Sequence, residues 1–516
     1  MKKSFVKSAF IIMLATLTSK VIGAFYRIPL TNLLGAEGMG IYQLVYPVYA
    51  VMLTVSSGAL PLAISVLVSE NLAKGNLVGN KKLIKASFII LFTMGVSLAT
   101  ALILLSGSIA SLQGSRTAWV GYVTIAPSIL FVGGIAVLKG WFQGNYQMHP
   151  TALSSIIESV VKLIAGLTLA RLLSPYGVAL QVGGALAGVS LSELATFVVL
   201  FTIYKKRKAV AKVPLSFSEA RVLYKELLNI SLPITLGSMI FPLIQFIDSF
   251  MVVNILKTQT DVTTATAMYG LFSGPVSTLV NLPVSLSLAI GIAVVPHLSK
   301  NKEERNLEAI RIKTSTAIKV AVLIGLPFTI LFALAPKEIL SFLYGSLTEL
   351  EVERGAVLLT ISSFSIVLLA VTQICTSVLQ GLKDTRAPII NLGIGGLVKI
   401  VTSVILLYTI GINGVAVSGL VAFFVTALLN VISVFRLMGK NRDIVKNSGV
   451  MLLFSGIMSV SIGLAVIFGL KTAWILVVTM LSGVVYLLLV VLKAFNEEEI
   501  LSLPFGSKII KLKRRV

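Results

Sequence analysis

Apolar runs of about 20 residues, parted by short polar or basic stretches, recur along almost the whole chain, and that length is what a helix needs to cross hydrocarbon. The runs start near Ser8, Ile41, Ala86, Ala118, Thr151, Val178, Leu223, Met268, Thr314, Gly355, Ala387, Ile412, Ser448 and Thr472. They predict an all-α, polytopic membrane protein with about 14 transmembrane helices. Lys2 and Lys3 before the first run imitate a secretory leader, but Lys20 interrupts that run, which is read as the first span.

Composition agrees: of 516 residues, 56% are hydrophobic and 12% charged, about half the charge of an ordinary soluble domain. The net charge of +23 raises nucleic acid as a partner, and its distribution argues against one. If the amino terminus is cytoplasmic, most Lys and Arg fall on inward connections: the leader, Lys74 to Lys85, Lys139, Lys205 to Lys225, Lys300 to Lys319, Lys383 and Arg386, Arg436 to Lys446, and the tail from Lys493. Facing outward are Arg116, Arg171, Lys257, Lys337, Arg354 and Lys471, beside an acidic Glu349, Glu351 and Glu353 cluster. The basicity is therefore read as topology. An even number of spans returns the carboxyl terminus to the cytoplasm, where Lys508, Lys511, Lys513, Arg514 and Arg515 can meet anionic lipid headgroups.

The chain also repeats itself. Gln143-Gly144 returns as Gln380-Gly381, Lys162 as Lys399, and Gly177-Val178-Ala179 as Gly414-Val415-Ala416; Leu60, Leu62, Ala63 and Ile64 return as Leu286, Leu288, Ala289 and Ile290. The reading is two six-span lobes, 1–204 and 223–440, joined by a basic linker, 205–222, which contains Lys205-Lys206-Arg207-Lys208 and Pro214. An extra span pair, 441–495, and a basic tail, 496–516, follow. Lobes with even span numbers enter from the same side, so the repeat is parallel and the cleft between lobes is the expected substrate site. Spans one, two, seven and eight are expected to line it. Pro233, Pro242, Pro275 and Pro283 are read either as breaks that let the second lobe bend or as ordinary membrane-helix prolines.

Four cations lie inside spans: Lys20, Arg27, Lys162 and Lys399. A charge in hydrocarbon survives where it faces a bundle interior or a wet cavity, so an anion-handling transporter is the first hypothesis. Lys20 and Arg27 are about two helical turns apart and share a face; interfacial snorkelling is the plain alternative. Lys162 follows Glu158 at the spacing of a helical ion pair, read either as a site or as a neutralised structural pair. Lys399 has Gly395 where Lys162 has Glu158, and stands about 16 Å along its helix from Pro388, near the midplane. Asp248 is read as its charge partner, a cation-coupling site or a purely structural group, and Glu193 as another partner or, more plainly, a structural residue. Gly393, Gly395 and Gly396 are read as permitting close helix packing.

Catalytic signals are absent from the sequence. It contains no GxxxxGK[ST], GxSxG or HExxH run. His149 and His297 are read as interfacial, without metal-ligand spacing, and the lone Cys375 as a packing residue. Neither an enzyme nor a bound cofactor is expected.

Ser19-Lys20-Val21-Ile22-Gly23 followed by Arg27, then Leu34-Gly35-Ala36-Glu37-Gly38 and Gly58-Ala59-Leu60-Pro61-Leu62-Ala63-Ile64-Ser65, resembles the opening of the prokaryotic polysaccharide-transporter branch of the multidrug/oligosaccharidyl-lipid/polysaccharide flippase superfamily. The resemblance implies export of an undecaprenyl-diphosphate-linked saccharide, a peptidoglycan or other cell-envelope precursor, from inner to outer leaflet of the bacterial membrane by alternating access. Envelope-synthesis enzymes are then conceivable partners, and Lys20 and Arg27 take the place of the family's basic residues. The aspartate that follows the arginine elsewhere in the superfamily is Ile28 here. Sodium, protons or the membrane potential could supply the coupling. The potential favours moving a negative charge outward by about 2.3 kcal/mol per 100 mV. Two alternatives stay open: a multidrug antiporter, which would favour an acidic cavity, and a membrane-embedded glycan polymerase or transferase, which would need outward catalytic residues.

Overall fold

The computed structural model describes residues 2–207, 213–439, 442–501 and 510. Lys208, Lys212, Lys440 and the tail residues Lys508, Lys511, Lys513, Arg514 and Arg515 lie outside the described residues, as do the side chains of Lys2, Lys3, Lys7, Arg442 and Lys446. Among the described residues every regular element is a helix. Eleven of these helices are long and apolar enough to cross a membrane, or twelve if the helices Glu349–Ser363 and Ser365–Gly381, bent by 40° at their junction, form one span. Two expected spans meet in the single 56-residue run Thr18–Ala73. The helix Met148–Leu173 is not among the eleven; it carries Glu158, Lys162 and Arg171.

By packing, the chain divides into two units, Met1–Gly274 and Pro275–Val516. The first contains α1 (Lys2–Ser56), α2 (Leu60–Ala73), α3 (Leu77–Leu112), α4 (Trp119–Gly144), α5 (Met148–Leu173), α6 (Val178–Lys206), α7 (Phe217–Leu256) and α8 (Val262–Leu271). Helix α1 is broken at Gly35, whose φ of 66° and ψ of −174° belong to a region that side-chain-bearing residues avoid. The break separates a leading half bearing Lys20 and Arg27 from a trailing half rich in tyrosine. Nothing lies within 4 Å of where a Gly35 Cβ would stand, so the constraint there is backbone conformation and not space. Gly35→Ala is accordingly expected to cost about 1–3 kcal/mol in thermal unfolding of the purified protein. Gly463→Ala, in helical backbone with equally open surroundings, should cost nothing; equal behaviour of the two would refute the strained joint.

Small residues set the spacing around α5. A Cβ on Gly188 of α6 would lie 2.4 Å from Gly166 of α5, and one on Gly166 would lie 2.5 Å from the Tyr26 hydroxyl of α1. Backbones can approach this closely only where side chains are missing. Two apolar clusters fill the unit, one centred on Leu30, Tyr122 and Ile129, the other on Ile64, Leu83 and Phe142. Helix α7 runs unbroken through Pro233 and Pro242. The π turn Phe272–Val276 follows α8 and contains Pro275.

The second unit holds α9 (Ser277–Glu303), α10 (Leu307–Leu334), α11 (Pro336–Leu343), α12 (Glu349–Ser363), α13 (Ser365–Gly381), α14 (Arg386–Ile410), α15 (Asn413–Met438), α16 (Arg442–Ile467), α17 (Thr472–Ala494) and α18 (Glu497–Leu501). The acidic cluster has local work here. Glu351 closes a capping box with Thr348 at the start of α12, and Glu353 lies 2.9 Å from Lys337. Gly395 permits close packing: its Cβ would overlap the Thr426 hydroxyl of α15. Cys375 is fully buried and unbonded within α13.

Lys319, grouped with the inward loops on charge pattern, lies fully buried in α10. Its Nζ is 2.7 and 2.8 Å from the two oxygens of Glu499 on α18. Ser315 Oγ donates to the same carboxylate at 3.1 Å, the Asn496 backbone N–H donates at 2.8 Å, and the Phe495 ring lies 5.6 Å from the ammonium. A buried pair this fully hydrogen-bonded satisfies the charges that burial strips of water.

One turn design ends six helices among the described residues: it follows α3, where Ser115 bonds Ala110 O and Gly114 bonds Ser111 O, and α16, where Leu470 bonds Ala465 O and Gly469 bonds Val466 O, and it recurs at four further places. After α2, the N–H of Asn76 bonds Asn71 O and that of Gly75 bonds Leu72 O; after α9, Asn306 bonds Asn301 O and Arg305 bonds Lys302 O. Asn76 and Asn306 then each accept a backbone N–H to cap the following helix. After α4, Gln147 bonds Phe142 O and Tyr146 bonds Gln143 O; after α13, Asp384 bonds Leu379 O and Lys383 bonds Gln380 O. Gly75, Arg305, Tyr146 and Lys383 all take positive φ, as this helix ending requires. Within each unit a serine ties two of these turns together: Ser69 donates to Gly144 O at 3.0 Å, and Ser299 to Gly381 O at 2.9 Å.

Candidate functional site

The leading half of α1 and the middle of α5 enclose a recess of about 260 Å³, lined by Ser19, Lys20, Gly23 and Tyr26 from one helix and Ser155, Glu158, Ser159 and Lys162 from the other. Both sets follow helical spacing, so each is one face of its helix. Ser19 Oγ donates to the Ser155 carbonyl at 2.9 Å and pins the two helices together. Lys20 is exposed along this wall; among the described residues it has no carboxylate within 4.0 Å. Tyr26 is buried, and its hydroxyl has no hydrogen-bond partner among the described residues.

The expected Glu158–Lys162 pair is present, with 3.6 Å between charged atoms. It is not closed on itself, because the other Glu158 oxygen is 3.8 Å from Nζ of Lys139 on α4. Charge pattern alone places Lys139 on an inward connection. The signal that places it in a helix is its setting between apolar Leu138 and Gly140-Trp141-Phe142, which continues the α4 pattern. Glu193 on α6 is buried behind this group and acts electrostatically on Lys162, as do Glu158, Tyr42 and Tyr46. Tyr42 and Tyr46 stack at 5.8 Å between centroids along the trailing half of α1, and Tyr49 meets Tyr46 edge-on at 5.9 Å.

The recess thus gathers Lys20, Lys162 and Glu158, with Lys139 and Glu193 next to it. Arg27 is half-buried and does not line it, lying within electrostatic reach of Tyr26 and Tyr42. Asp248 is buried on α7, near Tyr269, and does not line the recess. Lys399 belongs to the second unit, half-buried on α14. His149 and His297 are both exposed, and no group of three or more His, Cys, Asp or Glu side chains among the described residues could hold a metal ion. Lys20 and Lys162, with serine hydroxyls alongside and Glu158 shared between Lys162 and Lys139, present an anion with two ammonium groups in one recess. A second recess of about 490 Å³, in the same unit, is lined by Glu37, Arg116 and Lys257 with hydroxyls including Ser115 and Thr263.

The family model described as Polysaccharide biosynthesis protein matches residues 5–302, and the model described as MatE matches residues 233–405. The chain is 26% identical to stage V sporulation protein B of Bacillus subtilis (strain 168), across 99% of both chains. It is 25% identical to the lipid II flippase MurJ of the same organism, covering 90% of this chain and 88% of that one. Among solved structures, MurJ in an inward closed conformation superposes with a TM-score of 0.73 at 18% identity, covering 93% of this chain and 98% of that chain. An inward-facing multidrug resistance MATE transporter gives 0.67 at 16% identity, covering 83% and 99%. These two likenesses establish a shared fold.

Proposed function

This chain belongs to the polysaccharide biosynthesis protein family, and from that premise we propose that it is a flippase-like transporter moving a lipid-linked glycan across the cell membrane. The observation that carries the reading is the single recess lined by Lys20 of α1 and Lys162 of α5. In-span cations of this kind mark the path of a charged substrate. The diphosphate linking lipid to saccharide supplies about two negative charges, and an inside-negative membrane favours their outward movement by about 2.3 kcal/mol each per 100 mV. Lys20, Lys162, Arg27 and Lys399 are assigned to that anion, and Glu158, Glu193 and Asp248 to charge balance or cation coupling. The names of two relatives, a sporulation protein and a lipid II flippase, point to a cell-envelope precursor as the cargo.

The same reading gives fourteen spans: the run Thr18–Ala73 counts twice across Gly35, α5 is included, and α12–α13 count as one. The matching turns after α2 and α9 and after α4 and α13, each pair tied by a serine, support a parallel duplication with lobes 1–204 and 223–440, a linker at 205–222, an appended pair at 441–495 and a tail at 496–516. Both termini are assigned to the cytoplasm. A fluorescent protein that matures only in the cytoplasm, fused after Val516, should glow, and alkaline phosphatase fused there should be inactive. The reverse result would overturn the orientation.

The test of function is a leaflet-resolved assay of lipid-linked precursors in cells depleted of the protein, in which precursor should accumulate on the inner side. The MatE match favours a second reading, a drug–cation antiporter, whose cationic cargo is at odds with the lysines of the recess. Drug resistance that tracks expression, with unchanged precursor distribution, would select it.

A further inference from the structure

We propose that Lys139 is a positioning residue that keeps the recess receptive to anions by drawing Glu158 away from Lys162. The inference rests on the anion-binding reading above and adds a residue to it. Glu158 reaches between two ammonium groups, 3.6 Å from Lys162 and 3.8 Å from Lys139. Both separations exceed the 2.7–2.9 Å of a charge-assisted hydrogen bond, so neither lysine fixes the carboxylate alone.

The two lysines are not equivalent. Lys162 lines the recess with Lys20, whereas Lys139 stands on α4 outside it. An anion approaching Lys20 and Lys162 meets Glu158 as a like charge. With Lys139 present, Glu158 can swing toward it and remain paired, leaving Lys162 to the incoming anion. Without Lys139 the anion competes with Glu158 for Lys162. Glu193 on α6, the remaining carboxylate acting on this group, is buried and does not line the recess. It cannot take the place of Lys139, since its charge has the wrong sign. The exchange swaps charge partners, and no covalent bond forms or breaks.

Binding of inorganic pyrophosphate to the purified full-length protein in detergent tests this by calorimetry, with thermal unfolding as the check on folding. Lys139→Met should weaken binding about tenfold, within the range of coupling energies between contacting residues. Glu158→Gln should strengthen it severalfold. The double variant K139M/E158Q should bind like E158Q alone, because Lys139 has no task once Glu158 is neutral, and Lys139→Arg should retain most of the affinity. If Lys20→Ala abolishes binding while the effects of K139M and E158Q simply add, the recess reading stands and the positioning role is overturned. If the wild-type protein binds no pyrophosphate, or Lys20→Ala binds it normally, both fall together.

Discussion

Lys20→Ala is expected to abolish complementation of a flippase-depleted strain at unchanged protein abundance. The side chain is exposed along the recess and has no carboxylate within 4.0 Å among the described residues, so its removal strands no buried charge. What is lost is a charge-assisted contact to the cargo, typically worth about 1.5–3 kcal/mol, roughly one to two orders of magnitude in binding. Lys162→Ala also removes one of the two counter-charges of Glu158, but Lys139 remains beside that carboxylate, so loss of transport is expected with at most a modest fall in abundance. Arginine and lysine also differ in grip. A planar guanidinium holds two phosphate oxygens where an ammonium acts as a point charge, so Arg27→Lys should impair export more than Lys20→Arg. Normal export by Lys20→Ala, Arg27→Ala and Lys399→Ala at normal expression would defeat the anion mechanism.

The largest stability effect is expected at the other end of the chain. Glu499→Ala leaves the Lys319 ammonium fully buried on α10 with its carboxylate gone. Breaking such a pair from one side costs about 3–5 kcal/mol, enough to remove most of the protein from the membrane fraction. Replacing both partners by apolar residues, Lys319→Met with Glu499→Leu, should restore abundance to near the wild-type level, because no unmatched charge remains. Equal damage from the single and double variants would mean that Glu499 holds α18 in place through contacts other than this charge pair.

The membrane class, the helical content and the two recess-lining cations of the first unit were legible in the sequence because they depend on local pattern. Lys20, Glu158 and Lys162 stand out as charges in apolar runs, and the Glu158–Lys162 spacing predicts their contact within a single helix. Lys139 and Lys319 escaped because a charge near the end of a run reads as loop, and only packing between helices shows it turned inward. The Lys319–Glu499 contact spans 180 residues, a separation at which sequence pattern has no periodicity to offer. Gly35 was visible as part of a motif, but its backbone conformation was not. Short sequence matches such as Gln143-Gly144 and Gln380-Gly381 suggest a repeat, whereas the similar turns that follow them are visible only as hydrogen bonds.

Cys375, the sole thiol of the chain, is sealed inside α13 and out of reach of aqueous reagents. A cysteine introduced at an exposed position therefore becomes a unique spectroscopic address without altering the native background. A spin label on each unit would give a distance distribution across them in membranes with and without cargo, and the labelling chemistry would leave α13 untouched.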